Sequence, residues 1–154
     1  AQSEPPDGDD PVDAPRLYLI VDGDTDARNR LANTLRQHRV AVSAAATNGE
    51  AWRRARGLRP DAILLDPLSR GIDGPALLAS LASDPGTRTI PVLLIGALDA
   101  ARIVRSRDPA DLADALRPLR ELRPGPIWML GGDSLAAAVR DAFPDTRIER
   151  AEEA

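Results

Sequence analysis

Three short stretches in the first 96 residues of this 154-residue chain are apolar at every position, and each stops abruptly at an acid or a glycine. They are Leu17-Tyr18-Leu19-Ile20-Val21 before Asp22, Ala62-Ile63-Leu64-Leu65 before Asp66, and Val92-Leu93-Leu94-Ile95 before Gly96. A strand with one wet face alternates apolar and polar residues. A continuous run needs cover on both faces, which is the condition inside a parallel sheet flanked by helices. The intervening segments read as those helices. Asp24 or Thr25 can cap a helix over roughly 26–37, with Ala27, Leu31 and Leu35 on one face. After a weaker strand at Val40-Ala41-Val42, Asn48-Gly49 opens a helix carrying Trp52 and Ala55. Pro60 introduces the strand that ends at Asp66, and Pro75 to Leu81 is a helix with proline in its first turn. Strand and helix in alternation mean βαβ units, whose ligands bind beyond the carboxyl ends of the strands.

The two ends of the chain read differently. Residues 1–15 are rich in proline and hold Glu4, Asp7, Asp9, Asp10 and Asp13 with no basic residue, so they are expected to form a disordered acidic leader or linker. Residues 16–124 are expected to form the main domain, with a helix starting at Asp108-Pro109. In residues 125–154, Ile127-Trp128-Met129-Leu130 is strand-like, a helix is expected over about 135–143, and 147–151 can form a short strand. Two readings stay open there. The segment completes the first sheet, or it begins a second repeat, since Trp128 to Ser134 parallels Leu19 to Thr25. Leaving Ile127, Trp128 and Leu130 uncovered in a truncated repeat disfavours the second.

Charge and composition narrow the function. The leader carries −5 of a net charge of −4, so the remainder carries +1, a near-neutral body that argues against a nucleic-acid surface. No apolar run approaches the roughly 20 residues of a membrane span. The chain has no cysteine, which removes thiolate catalysis and cysteine-based metal sites. A cytoplasmic location is expected. All twenty basic residues are arginine.

The acids after the first and third strands, Asp22 with Asp24 and then Asp66, face one crevice if those strands are neighbours. Clustered carboxylates call for a hard cation such as Mg²⁺, and a carboxylate so neutralised can attack phosphorus. Equally, such acids can be solvated or can cap the next helix. The two readings weigh about the same on position alone.

Residues 16–99 resemble a receiver domain of bacterial response regulators. The resemblance is carried by Leu19-Ile20-Val21-Asp22-Gly23-Asp24, by Pro60-Asp61-Ala62-Ile63-Leu64-Leu65-Asp66 followed by Gly71-Ile72-Asp73-Gly74, and by Thr89-Ile90-Pro91-Val92-Leu93-Leu94-Ile95. It implies a flavodoxin-like, three-layer α/β/α fold with a five-stranded parallel sheet in the order 2-1-3-4-5. It implies Asp66 as phosphoacceptor, and Asp22, Asp24, Asp66 and the Leu68 backbone carbonyl as the Mg²⁺ site. It also implies a histidine kinase or another signalling protein as partner, with a homodimer as a further form.

Several family positions are altered. The second acid, a direct metal ligand in the family, falls on Gly23, so Asp24 would have to replace it and Gly23→Asp would restore it. The switch hydroxyl falls on Gly96, and the family's lysine has only Arg105 as a counterpart, a planar fork in place of a point charge. The loop proline is Arg70. The reading is therefore of an atypical, pseudo-receiver-like domain in two-component signal transduction, acting mainly as a protein-interaction or dimerisation module and binding Mg²⁺ weakly. The alternative is a phosphorylatable receiver that takes a phosphoryl group on Asp66 with Mg²⁺. In neither reading is the chain an enzyme beyond autophosphotransfer onto Asp66.

Overall fold

The computed structural model describes residues 16–37, 39–96, 127–130 and 148–150. In chain order the elements are β1 (Arg16–Val21), α1 (Thr25–Gln37), β2 (Val40–Ala45), α2 (Asn48–Leu58), β3 (Ala62–Leu65), α3 (Gly74–Ser83), β4 (Val92–Ile95), β5 (Ile127–Leu130) and β6 (Ile148–Arg150). The acidic leader 1–15, the helices expected after Asp108 and over 135–143, and Arg105 lie outside the described residues.

The continuous apolar runs behave as their composition requires. Tyr18 and Ile20 of β1, Ala62 and Leu64 of β3, and Leu93 and Ile95 of β4 point to one side, where Leu31, Ala32 and Leu35 of α1 cover them. Their alternates Leu19, Val21, Ile63, Leu65, Val92 and Leu94 point to the other side, onto Ala51 and Ala55 of α2 and Leu77, Leu78 and Leu81 of α3. The period-2 alternation of a strand thus splits each run between two cores, and helices on both faces make three layers. Each leucine or isoleucine removed from water in this way contributes about 1.5–3 kcal/mol.

Neighbouring strands all pair in parallel, in the order β2-β1-β3-β4-β5-β6. The expected order 2-1-3-4 is present in residues 16–95, and the α/β receiver fold with it. The strand next to β4 is Ile127–Leu130, and Ile148–Arg150 lies beyond it, so among the described residues the sheet has six strands where the resemblance implies five. These last two are the strand-like run at Ile127–Leu130 and the short strand expected over 147–151.

Helix starts follow their capping residues. Thr47 caps α2 by accepting the Glu50 amide at 3.1 Å, while Glu50 reaches back to accept the Ala46 amide at 2.9 Å, an arrangement close to a capping box. Asp73 caps α3 by accepting the Ala76 amide at 3.1 Å, with Pro75 in the first turn. Asn48 grips the same Asp73 twice: its amide donates to the Asp73 carbonyl at 2.9 Å and its Oδ1 accepts the Asp73 N–H at 3.0 Å. The start of α2 therefore holds the end of the loop that leads from β3 into α3.

Candidate functional site

β1 and β3 are adjacent and in register, with Val21 opposite Leu65. The next residues, Asp22 and Asp66, consequently emerge side by side at the carboxyl edge of the sheet. The Asp66 amide donates to the Val21 carbonyl at 3.0 Å, and the Asp22 amide to that of Ala45 at 3.2 Å, which fixes both backbones. A cavity of about 620 Å³ opens above them, lined by Asp22, Asp24, Asp66, Leu68, Ser69 and Arg70 among others.

Burial decides the electrostatics of this pocket. Asp22 is only 8% exposed, and burial pushes its carboxyl above the usual range. An accepted hydrogen bond from the Asp24 amide and the charge of Arg28 oppose the shift, and the charge of Asp24 adds to it. Asp66, half-buried, is also raised, first by burial and then by the charges of Asp22 and Asp24, against a hydrogen bond from the Leu68 amide. Two desolvated carboxylates that repel each other are held together by the fold rather than by their own attraction.

Asp24 does something else. Its Oδ1 accepts the Asp26 amide at 2.9 Å and the Ala27 amide at 3.1 Å, so it is the cap of α1. The free N–H groups of a first helical turn compete strongly for a carboxylate. Of the two readings open for this acid, capping is the one the structure contains. Among the described residues no three acidic or imidazole side chains are grouped so that they could hold a metal ion. The structure brings Asp22, Asp24 and Asp66 to the lining of one pocket, with Asp24 giving its Oδ1 to the cap of α1 and Leu68 alongside donating its N–H to Asp66 Oδ1 at 3.0 Å. These residues do not fit the three-acid cradle that the resemblance implies for Mg²⁺.

Gly23 explains part of the misfit. Its N–H donates to Ser69 Oγ at 3.1 Å, and a Cβ built on it would run into the carbonyl oxygen of Arg70. Gly23→Asp therefore needs more than a new side chain: the Arg70 backbone, which fills the space at its first carbon, has to move. Ser69 Oγ in turn donates to the Asp66 carbonyl at 3.0 Å. No motif or spacing in the sequence singles out Ser69, and the bridge it makes from Gly23 to Asp66 is seen only in the structure. The one sequence signal near it was the arginine at position 70.

Gly96 follows β4, whose Leu94 is paired with Leu65, so it sits at the same sheet edge and offers no hydroxyl there. Arg105 lies outside the described residues. Arg28 approaches from α1, its Nη1 donating to the Asp22 carbonyl at 2.8 Å.

Comparison with known proteins gives a consistent result. The family model of the response regulator receiver domain matches residues 18–117. Response regulator PleD of Caulobacter vibrioides is 43% identical over 82 residues, which are 53% of this chain and 18% of that protein. Transcriptional regulatory protein PrrA of Mycobacterium leprae is 36% identical over 86 residues, 56% of this chain and 36% of that protein. The chain thus spans well under half the length of these two relatives. The chemotaxis response regulator CheY4 of Vibrio cholerae superposes with a TM-score of 0.53 at 20% identity, over 68% of this chain and 98% of that one, a likeness of fold. No helix among the described residues is long and apolar enough to cross a membrane.

Proposed function

The chain belongs to the response regulator receiver domain family, and from that premise we propose that it is an atypical receiver acting mainly as a protein-interaction or dimerisation module. Receiver domains serve two-component signalling, partner histidine kinases, and catalyse nothing beyond their own phosphorylation. They typically bind Mg²⁺. The observation that carries the atypical reading is the pocket at the sheet edge. It is lined by the carboxylates of Asp22, Asp66 and Asp24, of which Asp24 gives its Oδ1 to the cap of α1, and position 23 has no side chain. A phosphoryl group on Asp66 would bring further negative charge into a site whose two acids already repel. Without a strongly held cation, that charge is poorly compensated.

On this reading Asp66 keeps the phosphoacceptor position but is modified slowly, Mg²⁺ is held weakly, and Gly96 cannot transmit the change. The partner is a histidine kinase or another signalling protein in the cytoplasm. Residues 125–154 complete this domain, a view supported by the pairing of β5 with β4 along its whole length.

The alternative, a receiver working by phosphorylation of Asp66, draws on the same pair of raised carboxylates, since an acid desolvated beside another acid gains most from a cation. Acetyl phosphate or beryllofluoride titration with Mg²⁺, followed at the Asp66 amide by NMR, separates the two. Saturable binding with Mg²⁺ affinity in the tens of micromolar would reject the atypical reading.

A further inference from the structure

Ser69 spends its one hydroxyl in two directions. It accepts the N–H of Gly23, 46 residues away, at 3.1 Å and donates to the carbonyl of Asp66 at 3.0 Å. The next residue places its carbonyl oxygen where any side chain at position 23 would have to begin. A backbone oxygen cannot swing aside as the tip of a side chain can, so this contact demands glycine at 23. The loop then turns through Gly71 at φ +80° and is tied down again where Asn48 holds Asp73. It is anchored at three points: the end of β3, the turn after β1, and the start of α2.

We propose that Ser69 is a positioning residue that latches the loop between β3 and α3 onto Gly23. This latch, and not the missing carboxylate alone, sets the weak ion affinity proposed above for the pocket formed by Asp22 and Asp66. Gly23 and the Ser69-Arg70 pair are then one coupled device, in which the glycine is the seat of the loop. The inference rests on the receiver reading above and deepens it.

Amide hydrogen exchange and Mg²⁺ titration of the whole chain test it with Ser69→Ala, Ser69→Thr, Gly23→Asp and the double variant Gly23→Asp/Ser69→Ala. Removing the hydroxyl should speed exchange at the Gly23 amide by about tenfold, the worth of one net hydrogen bond. Threonine, which keeps the hydroxyl, should restore most of the protection. Gly23→Asp alone should bind Mg²⁺ no better than the parent, whereas the double variant should gain tenfold or more because the loop can then move aside. Unchanged exchange at Gly23 in Ser69→Ala, or full affinity in Gly23→Asp alone, would overturn the latch. If Gly23→Asp does not fold, the contrast between alanine and threonine at 69 still decides it. Tight Mg²⁺ binding by the parent chain would reject the atypical reading above, and with it the latch's proposed effect on ion affinity, while the exchange contrast would still decide whether Ser69 anchors the loop.

Discussion

Asn48 and Asp73, 25 residues apart in sequence, are joined by two reciprocal hydrogen bonds of 2.9 and 3.0 Å between the side-chain amide of the first and the backbone of the second. The same Asp73 caps α3, so one asparagine links the starts of two helices to the far end of the loop that follows Asp66. Asn48→Ala removes both bonds. At about 0.5–1.5 kcal/mol net for each, urea denaturation should show a loss of roughly 1–2 kcal/mol, reduced by the exposure of the pair. Amide exchange should also rise over residues 67–73. Asn48→Asp loses the donor but keeps the acceptor, and should fall between alanine and the parent. Equal stability of all three would show that the clamp contributes nothing.

The start of α2 offers a second stability test. Thr47→Ala deletes the cap on the Glu50 amide and should cost about 1 kcal/mol. Glu50 is held below its ordinary range, first by the hydrogen bond from the Ala46 amide and then by Arg54. A carboxyl with a lowered folded-state pKa contributes stability above its unfolded value, and that stability is lost as pH falls through the folded value. Glu50→Gln should therefore be destabilising at pH 7 by a small amount and close to neutral well below pH 4. Thermal melts of parent and variant across that range check the sign; a deficit that persists in acid would assign it to packing.

Asp66 titrates in the opposite sense. Burial raises its carboxyl, so the charged form is disfavoured in the folded chain. Stability from this group is fully present below its unfolded pKa and is lost as pH rises through the folded one. Asp66→Asn keeps an acceptor for the Leu68 amide while removing the charge. It should therefore raise the melting temperature at pH 7, with the gain shrinking to nothing as pH falls below about 3.8, the ordinary aspartate value. Asp22→Asn should behave alike. An asparagine variant less stable than the parent at neutral pH would mean that a cation or an unseen partner already compensates the charge.

Signalling through Asp66 can be probed with beryllofluoride. A ligand shifts a conformational equilibrium only by the difference in its contacts with the two states. At the end of β4, Gly96 has no hydroxyl to close on a phosphoryl oxygen. Beryllofluoride with Mg²⁺ should therefore leave the oligomeric state unchanged in analytical ultracentrifugation. Amide shifts should stay within the loops that follow β1 and β3. Ligand-dependent dimerisation, or shifts spreading through Gly96 into residues 103–117, would establish a working switch.

Much of the frame could be read from residues alone. Tyr18 to Val21, Ala62 to Leu65 and Val92 to Ile95 are apolar at every position because both of their faces are covered, and the fold bears this out in its two cores. Pro75 marked the first turn of α3, and Asn48 the start of α2, because helix starts are set locally by neighbouring groups. The placing of Asp22 and Asp66 on one crevice needed only the adjacency of β1 and β3.

What the residues determined by themselves, then, is whatever depends on neighbours in the chain: burial period, helix starts and the side of the sheet on which the acids emerge. The fold decided how the glycine and the acids beside it are used. Asp24 was equally able to cap a helix or join an ion site, and the first-turn amides of Asp26 and Ala27 took it. Gly23 looked like a vacancy left by a lost ligand until the path of the loop 46 residues on put Ser69 on its amide and the Arg70 carbonyl against its Cα hydrogens. Hydrogen bonds and steric contacts are settled over a few tenths of an ångström. Residue spacing carries no information at that scale across a loop whose course is fixed only once β3, α2 and α3 have packed.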